Sequence, residues 1–125
     1  MIRYLIDANS AVYAMDIGND GLKARIADCD AGTLAISVIS YAEVAYGTYV
    51  GKPPAPEVLE AFIEAIPLVV FDEPAAREYA RLPLKRKRFD QLLAAHALSI
   101  GAVVVTNNED DFADVPGLMV ENWTV

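Results

Sequence analysis

Short apolar runs alternate with longer segments of helical character along the whole chain. The apolar runs lie at about 2–6, 33–37, 67–71, 102–106 and 118–121. Between them the residue spacing predicts helices at about 9–16, 21–29, 40–50, 56–65, 74–82 and 90–100, with a turn or short helix near 109–113. This alternation is typical of a parallel sheet covered by helices. The sequence therefore predicts an α/β fold with a central, mainly parallel five-stranded sheet and helices on both faces.

The length and apolar content of the chain fit one domain over residues 1–125. A chain of 125 residues with 54% hydrophobic residues has enough apolar surface for one substantial core. Its apolar runs are shorter than the roughly 20 residues that a membrane-spanning helix needs, and its N-terminus lacks the pattern of a secretory leader. We therefore expect a cytoplasmic protein that does not associate with a membrane.

Three acidic residues follow or open separate predicted elements. Asp7 closes the first apolar run, Glu43 lies one helical turn beyond the second, and Asp90 opens the last long helix. In an open parallel sheet the functional crevice lies beyond the carboxyl ends of the strands. Carboxylates brought together there are costly unless a positive charge joins them, and Mg²⁺ prefers oxygen ligands. The pattern predicts a shared divalent-metal site formed by these three residues.

Each of these acids also has a purely structural interpretation. The segment from Ser40 to Glu43 fits a capping box, in which the glutamate bonds back to the start of its helix. Asp7 and Asp90 fit ordinary N-terminal caps. These interpretations stay open for each residue alone, but three independent coincidences at one rim are less economical than a shared site.

The charge distribution combines an acidic average with one basic cluster. Eighteen acidic against ten basic side chains give a formal net charge of -8, which argues against broad, sequence-independent attraction to nucleic acid. The basic cluster at 85–88 directly precedes Asp90. It is either a solvated surface segment or a contact for a negatively charged substrate beside the predicted metal site.

Several segments, in their order and spacing, resemble the PIN-domain ribonucleases, and more narrowly the VapC-type toxins of toxin–antitoxin pairs. The matching segments are Tyr-Leu-Ile-Asp-Ala-Asn at 4–9, Ile-Ser-Val-Ile-Ser-Tyr-Ala-Glu-Val at 36–44, Phe-Asp-Gln-Leu-Leu-Ala-Ala-His-Ala-Leu at 89–98, Val-Thr-Asn-Asn at 105–108, Asp-Phe at 111–112 and Val-Glu-Asn-Trp at 120–123. Together they span nearly the whole chain. The resemblance implies a Mg²⁺-dependent endoribonuclease, with Mn²⁺ as an alternative ion, whose products carry a 5′-phosphate and a 3′-hydroxyl.

The resemblance also implies roles for individual residues. Asp7, Glu43 and Asp90 correspond to the acids that hold the metal and activate water. Asn9 would steady the first turn by hydrogen bonding, and Thr106 would orient the carboxylates. From their position beside Asp90, and not from the resemblance, we expect Lys87 and Arg88 to guide the RNA backbone as phosphate contacts.

This sequence departs from the family pattern at two positions of the predicted site. The family often has a fourth acid two residues after the threonine, where this chain has Asn108. Asp111 is then either a replacement for that acid or a residue that fixes the turn while Phe112 packs. Ala8 replaces a threonine that is common between the first aspartate and the asparagine. The resemblance further implies a cognate antitoxin over the acidic groove and a homodimer through the apolar helices between 40 and 66.

Alternative functions make distinct demands on the same residues. A phosphatase similar to the haloacid dehalogenases would use Asp7 as nucleophile and an aspartate two positions on, where this chain has Asn9. A Ser-His-Asp hydrolase would need His96 as its base, but the surrounding apolar helix favours a packed histidine. A non-catalytic interaction module of the same fold is the third alternative.

Overall fold

The computed structural model describes residues 1–83 and 89–125, which form a five-stranded sheet with helices around it. The strands are β1 (Tyr4–Ile6), β2 (Leu34–Ser37), β3 (Leu68–Val69), β4 (Val103–Val105) and β5 (Val120–Glu121). The helices are α1 (Ala8–Met15), α2 (Asp20–Ala27), α3 (Val38–Tyr49), α4 (Pro56–Ala65), α5 (Glu73–Arg81) and α6 (Phe89–Ile100), followed by a 3₁₀ turn at Glu109–Phe112. Each predicted element is present, and the strands are shorter than the apolar runs that predicted them.

All strand pairings are parallel, in the order β3-β2-β1-β4-β5. The central strand β1 pairs with β2 on one side and with β4 on the other. The chain therefore builds one half of the sheet from β1 to β3 and then crosses to the other side of β1 for β4 and β5. This change of direction creates a topological switch point between β1 and β4, where α/β proteins bind ligands.

The sheet has an apolar core on each face because consecutive side chains of a strand point to opposite sides. Leu5, with its neighbours Ala35 and Val104, packs towards α6 and the 3₁₀ turn. Ile6 belongs to the second core, which is closed by α1, α2, α3 and α4. The prediction of helices on both faces is confirmed. None of the described helices is both long and apolar enough to cross a membrane.

The interpretation of Ser40 to Glu43 as a capping box, which the sequence left open, is wrong. Helix α3 begins at Val38, and its N-cap is Ser37, whose hydroxyl accepts a hydrogen bond from the Ile39 N–H at 3.1 Å. Ser40 is buried inside the helix, and its hydroxyl has no hydrogen-bond partner among the described residues. The serine at the end of β2 is the cap because the strand ends there and the chain turns into the helix.

Gly101 and Gly21 form a matched pair for testing how helix α6 ends. Gly101 follows α6 with φ +68°, whereas Gly21 lies inside α2, and an added Cβ would meet no atom within 4 Å at either position. We expect Gly101→Ala to lower the free energy of unfolding by about 1 kcal/mol, because a Cβ disfavours the left-handed conformation. Gly21→Ala should raise it by about 0.5 kcal/mol, because alanine restricts the unfolded chain. Chemical denaturation of both variants measures this, and effects of equal sign would contradict it.

Candidate metal centre at the sheet switch point

Asp7 lies at the switch point of the sheet, immediately after β1. Its backbone N–H donates to the Val105 carbonyl at 2.9 Å, so the β1–β4 pairing extends to this residue. Asp7 is also the N-cap of α1, since its Oδ1 accepts the Ser10 N–H at 2.8 Å. The structural and functional interpretations of this aspartate are therefore compatible, because one carboxylate caps a helix and faces the rim of the sheet.

Thr106 fixes the second oxygen of the Asp7 carboxylate. The threonine follows β4 and its hydroxyl donates to Asp7 Oδ2 at 2.5 Å. The same hydroxyl oxygen accepts the Asn108 N–H at 3.0 Å, which sets the direction of its hydrogen. Both Asp7 and Thr106 are buried. The carboxylate is thus held from two neighbouring strands of the sheet before any ligand binds.

The three acids that the sequence singles out line one pocket. Its walls come from β1 and α1, from α3, from the start of α6, and from the segment after β4. The lining residues are Asp7, Ala8, Asn9, Glu43, Asp90, Leu93, Asn108 and Asp111. Residues separated by more than 100 positions therefore meet at one small cavity, and no lysine or arginine occurs among these described lining residues.

Asn108 and Asp111 are joined on the wall contributed by the segment after β4. The Asn108 Nδ2 donates to Asp111 Oδ2 at 2.9 Å. This bond aims the amide nitrogen at the aspartate and turns the amide oxygen away from it. Phe112 is buried in the core beside α6, so the Asp-Phe pair both packs its ring and brings a fourth carboxylate to the pocket.

The pocket raises the pKa of two of its carboxyl groups, those of Asp7 and Glu43. For Asp7, burial raises the pKa, the hydrogen bonds from Thr106 and Ser10 lower it, and the charge of Asp111 raises it. For Glu43, loss of solvent and the charges of Asp90 and Asp7 raise the pKa to about 6. The Glu43 side chain retains exposure to solvent, yet loss of solvent around its carboxyl group is the largest cause of the raised pKa, and the two neighbouring charges add to it. The neighbouring carboxylates therefore repel one another.

This donor set fits a hard divalent cation. A cation would relieve the repulsion that raises the pKa of Glu43, and carboxylate and amide oxygens are the ligands that Mg²⁺ prefers. Within 1–83 and 89–125, however, no three His, Cys, Asp or Glu side chains already converge as a complete ligand cluster. Mg²⁺ keeps several waters and often uses only one or two carboxylates directly. The pocket therefore fits a partly hydrated ion.

One predicted residue differs from expectation, and two others fall outside the described structure. Asn9 lines the pocket, but its side chain makes no hydrogen bond among the described residues. The first turn is closed instead by the Ser10 N–H, which donates to the Asp7 carboxylate at 2.8 Å. Lys87 and Arg88, predicted as RNA contacts, lie outside the described residues.

Sequence reasoning treated His96 as a packed residue and missed its partner, Ser37. The Ser37 hydroxyl and His96 Nδ1 are 2.7 Å apart, and both residues are at most 1% exposed. The two residues are 59 positions apart, so no local pattern could pair them. The available signal was the serine directly after an apolar strand, which marks a helix cap with a hydroxyl at the sheet rim.

By its fold and its site, this is an α/β protein with a parallel sheet and an acidic pocket at the switch point of that sheet. Residues 4–118 match the PIN domain family. A relative from Salmonella typhimurium, named tRNA(fMet)-specific endonuclease VapC, is 31% identical over 98% of this chain and 99% of its own length. Ribonuclease VapC2 of Rickettsia felis is 31% identical over 96% and 97%.

The solved structures include VapBC2 from Rickettsia felis bound to a DNA fragment from the promoter. One of its chains superposes with a TM-score of 0.87 at 29% identity, covering 98% of this chain and 99% of that chain. The chain belongs to the PIN-domain family, and within it to the VapC proteins.

Replacing Glu43 tests the electrostatic cost of the pocket without a metal. A folded-state pKa of about 6, above the ordinary value of 4.5, means that Glu43 favours folding below pH 4.5 and that this contribution is lost as the pH rises through 6. We expect Glu43→Gln to raise the unfolding temperature in EDTA at pH 7.5 relative to wild type, and to change it little at pH 4.

The control for this measurement is Glu64→Gln, an exposed glutamate on α4 outside the pocket. The change in unfolding temperature that Glu64→Gln causes should differ less between pH 4 and pH 7.5 than the change that Glu43→Gln causes. A Glu43→Gln effect that is the same at both pH values would show that the carboxylates do not repel in the folded state.

Proposed function

We propose that this chain is a metal-dependent endoribonuclease and the toxin of a toxin–antitoxin pair. The observation that carries the proposal is the single pocket lined by Asp7, Glu43 and Asp90 at the sheet switch point. Support comes from relatives named as VapC ribonucleases, which match over almost the full length of this chain. The reaction is hydrolysis: a water oxygen bonds to phosphorus, the bond to the 3′-oxygen breaks, and that oxygen takes up a proton.

Asp7 and Asp90 would hold a Mg²⁺ or Mn²⁺ ion, directly or through water. Such an ion lowers the pKa of water and neutralises charge on the phosphodiester. Asp7 suits this role because Thr106 and Ser10 fix the orientation of both its oxygens. A carboxylate that is fixed before binding loses little rotational freedom when it receives a ligand.

Glu43 would position the attacking water and accept its proton. A pKa of about 6 lies close to neutral pH, where a general base combines an ionised fraction with useful basicity. Its partial exposure leaves a path by which the accepted proton can return to solvent. Lys87 and Arg88 are proposed as phosphate contacts on the strength of the sequence alone.

Asp111 takes the position of the fourth acid in this proposal. Its charge contributes to the raised pKa of Asp7, so the two carboxylates interact. Asn108 then acts as a positioning residue, since its Nδ2 donates to Asp111. The phosphatase alternative is less favoured, because Asn9 cannot supply the acid that this mechanism needs two positions after Asp7.

The partners of the proposed toxin follow from charge and exposed apolar surface. A cognate antitoxin would place a basic side chain, such as arginine, over the acidic pocket and compete with the metal. A homodimer would use the exposed face of α3, where Tyr46 and Tyr49 are 69% and 89% exposed and lie one helical turn apart. Exposed aromatic side chains are enriched at protein interfaces.

Cleavage of RNA by matched variants tests the proposed activity. We expect wild-type protein with Mg²⁺ to cut initiator tRNA and EDTA to abolish the cutting. Asp7→Asn and Asp90→Asn should each lower the rate by at least the roughly 10–100-fold that is lost when outer partners of a metal site are removed. The measurement is gel analysis of end-labelled RNA, with the new ends typed by phosphatase and ligase.

The matched control is Asp30→Asn, which makes the same chemical change outside the pocket, before β2. It should keep the wild-type rate. Equal activity of all variants, or full activity in EDTA, would refute a metal-dependent site at Asp7. A phosphoaspartate trapped at Asp7 would instead establish the phosphatase alternative.

The proposed dimer is tested by a charge placed on the exposed face of α3. We expect Tyr49→Glu to convert a dimer into a monomer in sedimentation velocity, because burying an unpaired carboxylate at an interface is costly. Met119→Glu serves as the control, because it places the same charge on another exposed apolar residue, directly before β5. A wild-type chain that is monomeric at high micromolar concentration would refute the dimer.

A further inference from the structure

The hydrogen bond between Ser37 and His96 joins two helices that carry site carboxylates. Ser37 ends β2 and caps α3, and Glu43 follows it by six residues on that helix. His96 lies in the middle of α6, six residues after Asp90. Six residues of α-helix span about 9 Å, so each bonded residue is less than two turns from its carboxylate.

The surroundings of His96 assign its proton. Its pKa is lowered by burial, against the opposing effects of the Asp72 charge and of a hydrogen bond with the Val70 backbone. A backbone carbonyl can only accept, so the contact with Val70 favours a proton on Nε2, the ring nitrogen that Ser37 does not engage. With the proton there, Nδ1 of the neutral ring accepts, and the Ser37 hydroxyl, 2.7 Å away, donates to it.

The Ser37–His96 pair resembles a nucleophile with its base, but its environment excludes that role. Ser37 is 0% exposed and His96 is 1% exposed, so neither can contact an RNA substrate. The Ser37 oxygen also accepts the Ile39 N–H, so it is committed to capping α3. A buried, fully bonded pair of this kind fixes the relative position of the elements that it joins.

The carboxylates on these helices need such a restraint. Glu43 on α3 and Asp90 at the start of α6 line the same pocket, so the shape of the pocket depends on where these two helices lie. Asp7 is held from the strands by Thr106, whereas Glu43 and Asp90 are carried by α3 and α6. A small displacement of one helix would change the separation of the two acids.

We propose that His96 is a positioning residue, whose hydrogen bond to Ser37 holds α6 against the start of α3 and thereby sets the separation of Asp90 and Glu43 for a divalent cation. The inference rests on the proposed function of the pocket. It predicts that loss of this bond lowers metal affinity and turnover more than it changes RNA binding.

Two near-isosteric substitutions separate the two hydrogen bonds of His96. The side-chain amide of asparagine reaches the position of Nδ1 and can keep the bond to Ser37, whereas that of glutamine reaches the position of Nε2 and can keep only the bond to Val70. Mn²⁺ binding to each folded variant is measured by electron paramagnetic resonance without RNA. We expect H96N to bind like wild type and H96Q to bind roughly tenfold more weakly, the scale set by outer partners of metal sites.

The partner side of the bond supplies a second test. Ser37→Ala should weaken Mn²⁺ binding like H96Q, and the double variant S37A/H96Q should be no weaker than either single variant, because both remove one interaction. Ser40→Ala is the matched control, since it removes a buried hydroxyl without a partner from the same helix. In RNA cleavage, H96Q should lower kcat with little change in KM.

Nuclear magnetic resonance gives a readout that does not depend on metal or activity. His96 is the only histidine of the chain, so its ring signals need no assignment. Long-range ¹H–¹⁵N spectra should show a neutral ring protonated on Nε2. The opposite tautomer would overturn the assigned hydrogen bond.

The outcomes distinguish failure of this inference from failure of the proposed function. Wild-type protein that neither binds Mn²⁺ nor cuts RNA would refute the proposed function. Wild-type protein that does both, beside an H96Q variant with unchanged Mn²⁺ affinity and kcat, would refute the positioning role alone. H96N as impaired as H96Q would show that the histidine contributes packing and not the bond to Ser37.

Discussion

Mutual repulsion of carboxylates at the carboxyl end of β1 is the constraint on which the rest of the site depends. Asp7 is buried there because β1 is the central strand and α1 begins directly after it. Hydrogen bonds from Thr106 and the Ser10 backbone offset part of the cost of that burial. Glu43 on α3 and Asp90 on α6 bring further acidic side chains to the pocket, and no lysine or arginine occurs among the described lining residues. The scaffold therefore holds negative charges closer than they would remain by themselves, and this arrangement favours a divalent ion.

Much of this fold could be predicted from the sequence because its strands are continuous apolar runs. Buried parallel strands need apolar residues on both faces, and Leu5 and Ile6 show this by belonging to different cores. Asp7 could be placed at the rim because it directly follows such a run. The start of α3 was less predictable, since Ser37 and Ser40 both fit an N-cap. Tertiary structure decides between them: β2 ends at Ser37, and only that serine is at the turn into the helix.

Other parts of the site could not be predicted because they depend on contacts between distant segments. The sequence contains both Asn108 and Asp111, but it does not show that the amide nitrogen of one bonds the carboxylate of the other. The apolar residues around His96 in the sequence predict a core residue, and the structure confirms its burial. Its bond to Ser37 requires the packing of α6 beside the end of β2, which follows from the strand order and not from residue spacing.

Under the proposed function, Asp7, which follows a strand, has a different physical role from Glu43 and Asp90, which lie on helices. Asp7 is fixed by hydrogen bonds that exist before binding, so it defines where an ion is received. Glu43 and Asp90 lie on α3 and α6, so the packing of these two helices contributes to their separation. A metal ion and an antitoxin arginine would both relieve the repulsion between the carboxylates, and each would stabilise the folded chain by binding to it. Under the proposed function both would need the same carboxylates and would therefore compete, so the contact that inhibits the toxin would also stabilise it.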